Sequence, residues 1–433
     1  MQSQKKTFAR KGIIMNHEEI VRVNKIVERY RGEAVRLLQK LVRIPSVNHP
    51  PTGDEAKVQK FYAGILRSSG LKTEIFEPDN IPEFVRHPAR LKTHDMRNRP
   101  NVVGVLKGAG GGRSLMLLAH ADVEQTGDAC LWTVGAAFSG WLRNGRVYGR
   151  GAGDDKSGMA VNAMAVRIIK ENRFKLRGDL IVASVSDEEQ GGANGTLALL
   201  CKGWRADACL NIDGCDLDLA VAGLGGGCCT VDLRVPTPQV NSNALLDYFN
   251  QLQKNIAILS QERVRRFAQH PLYHDRQLLE AARLNLSNIM LAADDMTHGR
   301  FSFWFALLPG EDARQFQKYV AQVLRSIKTA GTFRLEWMPR LLPAGEVAVD
   351  HPFVKCAAGS YQKATGRKPA LTGFFMSDMG MVIKYGGFPC INFGPSRWGR
   401  EGAVHQPDEF VEVEALMQCL KTVVICALDW CDG

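Results

Sequence analysis

The stretch from residue 101 to residue 213 constrains the fold more than any other part of the chain. Short apolar runs bounded by glycine alternate there with a segment whose apolar residues recur at helical spacing. "NVVGVLKG" and "SLMLLAH" read as strands, "KSGMAVNAMAVRIIKEN" as a helix, and "DLIVASVSDEE" and "DACLNIDG" as strands again. Strands alternate with helical segments in this way when a sheet is mostly parallel and its crossovers cover its faces. The expected fold class is therefore α/β, a mostly parallel sheet with helices on both faces. Upstream, "EEIVRVNKIVERYRGEAVRLLQKLVRIPS" carries a helical pattern closed by Pro45.

After Gly223 the texture changes. "CTVDLRV" alternates, with Val231, Leu233 and Val235 on one face, and Leu245, Tyr248, Leu252, Ile256 and Leu259 recur at helical spacing. "GRFSFWFALLPGED" and "TFRLEW" read as strands around the helical "ARQFQKYVAQVLRSIK". Half-exposed strands and amphipathic helices of this kind suit a separate α+β layer. From about Asp350 the α/β texture returns, with "CINFG" as a strand and "VEVEALMQCLKTVVICAL" as a final helix. One domain is thus expected inside another: residues 15–222 and 344–433 form the main domain, and 223–343 the insert.

Composition narrows the class. A chain of 433 residues, 45% hydrophobic and 23% charged, fits a globular protein with a sizeable core. No run approaches the ~18 apolar residues of a membrane span. The start, "MQSQKKTFARKG", is basic without an apolar signal region, so secretion is not expected; Met15 is an alternative start after a disordered tail. The formal charge is +10, but the basic residues are scattered rather than clustered with aromatics, which argues against a nucleic-acid partner. Eleven cysteines at irregular spacing, without a C-x-x-C pair, read as reduced thiols in a cytoplasmic protein.

Five places carry the chemistry. His120 and Asp122 follow "LMLLA"; Asp154 and Asp155 stand in "GRGAGDDKSG" before a helix; Glu188 and Glu189 follow "LIVASVSD"; Asp213 follows "ACLNI"; His405 lies in "GAVHQPDEF". In a parallel sheet the carboxyl ends of the strands share one edge, where ligands bind. Two imidazoles and several carboxylates converging there suit divalent metal ions such as zinc. A pair of ions brings about +4, which three carboxylates and a bridging hydroxide balance, and such pairs serve hydrolysis. Asp122, two residues after His120 in an extended segment, points the same way and can reach the imidazole's outer nitrogen. Of the adjacent Glu188 and Glu189, one can bind metal while the other takes a proton from water. Taken singly, each element has a plainer reading: a core histidine, an N-cap, a solvated acidic loop. Only the set points to catalysis.

As a set, "AHADV", "LWT…FSGWLRNGRVYGRGAGDDKSG", "SDEEQGG", "NIDG" and "GAVHQPDEF" resemble the co-catalytic zinc amidohydrolases, the family of acetylornithine deacetylase, succinyl-diaminopimelate desuccinylase, aminoacylase and glutamate carboxypeptidase. The resemblance implies a zinc-peptidase type of fold with a lid and dimerisation insert, and a homodimer formed through it. It implies two divalent ions, zinc first, with cobalt or manganese as alternatives. His120, Asp154 and Asp213 would hold one ion, and Asp154, Glu189 and His405 the other. Asp122 would orient His120, and Glu188 would be the general base. The substrate would be an N-acyl amino acid or a small peptide, and neither nucleic acid nor membrane would be a partner.

The insert departs from the family pattern. "DLRVPTPQVNSNALL" lacks the usual lid histidine that stabilises the oxyanion, and "FSFWFALLPGED" lacks the usual D-x-R. His270, His274, His298 and Arg300 are candidate substitutes, and Arg397 and Arg400 candidate contacts for a substrate carboxylate. The leading expectation is an amide hydrolase; the alternatives are a dipeptidase or carboxypeptidase, or a weakly catalytic binding homologue with an altered lid.

Overall fold

The computed structural model describes residues 15–235, 244–273, 279–280, 282–291, 297–327, 331–396 and 402–433. The N-terminal tail, His274, Arg397 and Arg400 lie outside the described residues. Four parallel strands form the centre of a nine-stranded sheet, in the order Leu180–Val185, Leu115–His120, Ala208–Asn211, Cys390–Asn392. Asn101–Leu106 and Lys72–Phe76 extend it antiparallel on one side. On the other, Leu219–Gly223 pairs antiparallel with Cys390–Asn392 and Gly345–Glu346 and parallel with Leu371–Phe374. The sheet is therefore mixed, parallel where the strand ends carry the candidate site and antiparallel toward the edges.

Burial explains that division. Leu115–His120 and Leu180–Val185 are buried at every position. Successive side chains point to opposite faces, so both faces of these strands are covered, the usual setting of parallel strands. Lys72–Phe76, at the edge, is buried only at Phe76. The helix Lys156–Glu171 packs on Leu115–His120, and the apolar final helix Val413–Asp432 packs on it in turn. Asp155 caps the first of these by accepting from the N–H of Gly158 at 3.0 Å. A Cβ at Gly158 would lie 2.2 Å from the carbonyl oxygen of Ile212. Only glycine lets this helix start rest against the segment that leads to Asp213.

Leaving Leu219–Gly223, the chain passes directly into Gly225–Arg234, the first strand of a four-stranded antiparallel sheet. Its order is Asn285–Leu291, His298–Leu307, Gly225–Arg234, Thr332–Trp337. The helices Ala244–Ala268 and Ala313–Arg325 belong to the same layer. It has its own apolar core, in which Val231, Leu233, Val235, Leu245, Tyr248, Leu252, Ile256 and Leu259 meet Phe301, Phe303 and Phe305. The His298–Leu307 strand begins earlier than the run "FSFWFALLPGED", so Arg300 lies inside it; Arg300 donates to Glu336 at 2.9 Å. A small third sheet joins Trp141–Arg143, Arg146–Tyr148 and Phe410–Glu412, and so ties the late loop to the segment before Asp154. Among the described residues no helix is long and apolar enough to cross a membrane.

Candidate metal centre

Sequence-distant strand ends meet at one edge of the main sheet. His120, the last residue of its strand, places Nε2 2.8 Å from Oδ1 of Asp154. His405, from the late loop, places Nε2 3.1 Å from the other oxygen of Asp154, Oδ2, and 3.1 Å from Oε2 of Glu189. Asp154 thus stands between two imidazoles, one per carboxylate oxygen. Oε2 of Glu188 lies 4.0 Å from His120 Nε2. Asp213 lines the same cavity as Asp154, Glu188, Glu189 and His405. The Asp154–Asp155 peptide is cis.

Asp122 sits behind this group, fully buried. Nδ1 of His120 is 3.0 Å from the backbone carbonyl oxygen of Asp122 and 3.7 Å from its carboxylate. The carboxylate instead accepts from the backbone N–H of Glu188 at 3.1 Å, from that of Glu189 at 2.9 Å and from Asn48 at 2.8 Å. It therefore fixes the two glutamates, while a carbonyl meets the outer nitrogen of the imidazole.

Two further buried networks were not read from the sequence. Arg99 and Glu55, both fully buried, pair at 2.6 Å; Arg99 also reaches Asp187 at 2.9 Å, and Asp187 meets His94 at 2.8 Å. Asp187 has φ 68°, in the left-handed region, and holds the turn that delivers Glu188 and Glu189. On the other side Arg150 pairs with buried Glu409, whose Oε1 accepts from the N–H groups of Gly153 at 2.9 Å and Asp154 at 3.1 Å. Glu409 thus ties the loop carrying His405 to the loop carrying Asp154. Asp187, Arg150 and Glu409 stood inside the informative sequence stretches, but a buried ion pair between distant positions leaves no local pattern.

The electrostatics show an excess of negative charge in a dry place. Burial pushes the carboxyls of Glu188 and Asp213 well above their usual range, and that of Glu189 up to about 7. Burial opposes charge on His120 as well, but Asp154, Glu188 and Asp122 outweigh it and hold the imidazole well above its ordinary value. For Asp154 burial is likewise outweighed, here by His120 and His405, and its carboxyl stays well below the usual range. Oε1 of Glu189 is buried without a hydrogen-bond partner. Such a donor set fits divalent cations, which balance carboxylates that protein cations leave uncompensated. Its spacing fits too: two atoms each about 2.0–2.1 Å from one tetrahedral ion lie roughly 3.3 Å apart. His120, Asp154 and Glu189 offer ligand atoms within 4.8 Å of one another, as do Glu124, Glu189 and His405.

A cavity of about 350 Å³ opens over this group. Trp304, Leu342, Phe374 and Met376 line its apolar side, and Glu124 and Gln190 its polar rim. None of the lid residues considered as oxyanion donors lines it among the described residues. His270 packs on Tyr273, His298 lies 3.2 Å from Asp232, and Arg300 is paired with Glu336.

Comparison with known proteins agrees with this geometry. Residues 116–429 match the profile described as peptidase family M20/M25/M40. The N-formyl-4-amino-5-aminomethyl-2-methylpyrimidine deformylase of Bacillus subtilis is 26% identical, over 96% of this chain and 98% of that protein. The succinyl-diaminopimelate desuccinylase of Bradyrhizobium diazoefficiens is 29% identical, over 70% of this chain and 80% of that protein. Human carnosine dipeptidase 1 shares the fold, with a TM-score of 0.73 at 13% identity over 96% of this chain and 99% of that one. The chain belongs to peptidase family M20/M25/M40 and is a metal-dependent hydrolase of amide bonds.

Proposed function

We propose that this protein is a dinuclear deacylase of small N-acylated amines, the class that includes N-acyl amino acids. The observation that carries the reading is the placement of Asp154 between His120 and His405, at 2.8 and 3.1 Å. In this reading His120, Asp154 and Asp213 hold one ion and Asp154, Glu189 and His405 the other, with zinc the metal proposed. Such ions polarise an amide carbonyl and lower the pKa of water. Glu188 takes the proton from water and passes it to the departing amine. Its side chain is 13% exposed, so it reaches the cavity while its backbone is tied to Asp122. Deacylation rather than peptide cleavage is favoured by the deformylase relative, which aligns over nearly the whole chain.

The insert, residues 223–343, is proposed to act as lid and dimerisation domain. Its edge strand Asn285–Leu291 exposes Ile289 and Met290, which suits pairing with a second copy. Eleven free cysteines support a reducing, cytoplasmic setting. The test is Glu188→Gln in protein loaded with zinc. Turnover of N-acetyl and N-formyl amines should fall roughly 10²–10⁴-fold, the usual contribution of a general base, with the metal content unchanged. Full turnover in that variant would sink the assignment.

A further inference from the structure

Glu124 lies beside the ligand group of Glu189 and His405. Its backbone is pinned just before it. The N–H of Val123 donates to the Ser46 carbonyl at 2.9 Å, and the Val123 carbonyl accepts from the N–H of Asn48 at 2.9 Å. The half-buried side chain of Glu124 lines the same cavity as Glu189 and His405. One carboxylate oxygen of Glu124, one of Glu189 and one imidazole nitrogen of His405 lie within 4.8 Å of one another.

Glu189 is 4% exposed; its Oε2 lies 3.1 Å from His405, and its Oε1 has no hydrogen-bond partner. A buried carboxylate oxygen left open beside an imidazole and a second carboxylate suits a cation placed among them. Gln190, next to Glu189 in the chain, has φ 57° and donates its side-chain amide to Oε1 of Glu124. The left-handed backbone at Gln190 therefore belongs to a turn that brings Glu189 and Glu124 together. Oε2 of Glu124 accepts from the N–H of Gln125 at 2.8 Å. A carboxylate offers about four lone-pair sites on its two oxygens, so Glu124 can bind an ion and keep both hydrogen bonds. Ligating carboxylates are themselves held by such bonds.

Resting on the two-ion reading, we infer that Glu124 is a fourth protein ligand of the ion held by Asp154, Glu189 and His405. Four protein ligands close a tetrahedral site, whereas three leave a position for water or substrate. The ion of His120, Asp154 and Asp213 keeps that open position, on the side where Oε2 of Glu188 lies 4.0 Å from His120 Nε2. Glu124 thus gives the two ions different tasks, one anchored in a closed set of ligands and one open to the amide.

The test compares wild type with Glu124→Gln as full-length, metal-free chains titrated with zinc and, separately, with cobalt. Calorimetry with a competing chelator gives the affinity of each equivalent. One equivalent should bind as in wild type, which also shows that the variant folds. The other should weaken at least ~10-fold, the lower end of what even an outer partner of a ligand contributes. With cobalt, the visible absorption of that equivalent should change, because the ion loses a ligand. In His405→Ala protein, which keeps the ion of His120, adding Glu124→Gln should leave the affinity of the remaining ion unchanged. A charge that attracts cations only through space is screened as the Debye length falls from ~10 Å at 0.1 M salt to ~3 Å at 1 M. The ~10-fold weakening should therefore persist at high salt. Unchanged affinities, an unchanged cobalt spectrum, a weakening that vanishes in salt, or a weaker ion in the His405→Ala background would each overturn Glu124 as a ligand. The two-ion reading would survive all four. A wild type that binds a single equivalent would overturn that reading, and this inference with it.

Discussion

The Arg150–Glu409 pair offers a sharp test of how the centre is held. Arg150 is 1% exposed and Glu409 fully buried, and Glu409 also anchors the N–H groups of Gly153 and Asp154. Glu409→Ala leaves a buried guanidinium and two backbone donors without their acceptor. Breaking a buried pair by removing one partner costs about 3–5 kcal/mol. For 433 residues at about 2.1 cal/mol/K each, the unfolding entropy is about 0.9 kcal/mol/K, so Tm should drop about 3–6 °C. Asp154 carries both imidazoles, so metal affinity should fall as well, by roughly the 10–100-fold typical of outer-shell partners. Calorimetric melting of metal-free protein and a chelator-competition titration measure the two effects separately. Arg150→Met with Glu409→Gln removes both charges but keeps an acceptor for Gly153 and Asp154; it should regain most of the lost Tm and affinity. A Glu409→Ala protein with unchanged Tm refutes the pair as a source of stability. One that melts early yet binds metal normally refutes its hold on Asp154.

Other expectations are as concrete. Asn48→Ala removes a buried bond to Asp122 at 2.8 Å and one to the carbonyl of Glu189 at 3.1 Å. It should cost roughly 1–3 kcal/mol and speed hydrogen exchange at the amides of Glu188 and Glu189; unchanged exchange would count against Asn48 as a brace. Gly158→Ala forces a methyl to within 2.2 Å of the Ile212 carbonyl. It should lower Tm and reduce the affinity of the ion assigned to Asp213; a neutral substitution would contradict the close approach. Metal removal should make stability depend on pH. Burial raises the carboxyls of Glu189 and of Asp378, a buried residue that opens the short helix Asp378–Met381, to about 7, from ordinary values of 4.5 and 3.8. The folded metal-free chain therefore binds more protons than the unfolded one between about pH 4 and 7, and its stability must fall as pH rises through that window. Metal-loaded protein should lack this fall, and a flat profile without metal would refute the stated excess of negative charge.

The legible part of the fold was the part written in local patterns. Short apolar runs bounded by glycine marked the central strands, which are buried on both faces, and helical spacing marked the Lys156–Glu171 helix. In the insert, alternation and helical spacing marked the core, because one buried face imposes its period on consecutive residues. Strand direction at the sheet edges left no such trace, and the antiparallel flanks at Lys72–Phe76 and Asn101–Leu106 emerged only in three dimensions. The candidate ligands were legible because they close strands or open a helix, where a polar residue after an apolar run is conspicuous. What braces them was not. Arg99 with Asp187, and Arg150 with Glu409, are single charges in polar loops, and nothing local tells a buried pair from a solvated one. Asp122 was legible only in part for a related reason: its position two residues past His120 was visible, but its bonds to Asn48 and to the amides of Glu188 and Glu189 depend on chain far away. Glu124 and Trp304 passed unnoticed because only the cavity shows that they face the same space.

The central claim is that His120, Asp154, Glu189, Asp213 and His405 together hold two ions, with Asp154 shared. Titrating metal-free protein with zinc, read by calorimetry and elemental analysis, tests it most directly. Wild type should bind two equivalents, His405→Ala one, and Asp154→Ala none with comparable affinity. A single equivalent in wild type, or two in His405→Ala, would contradict the account.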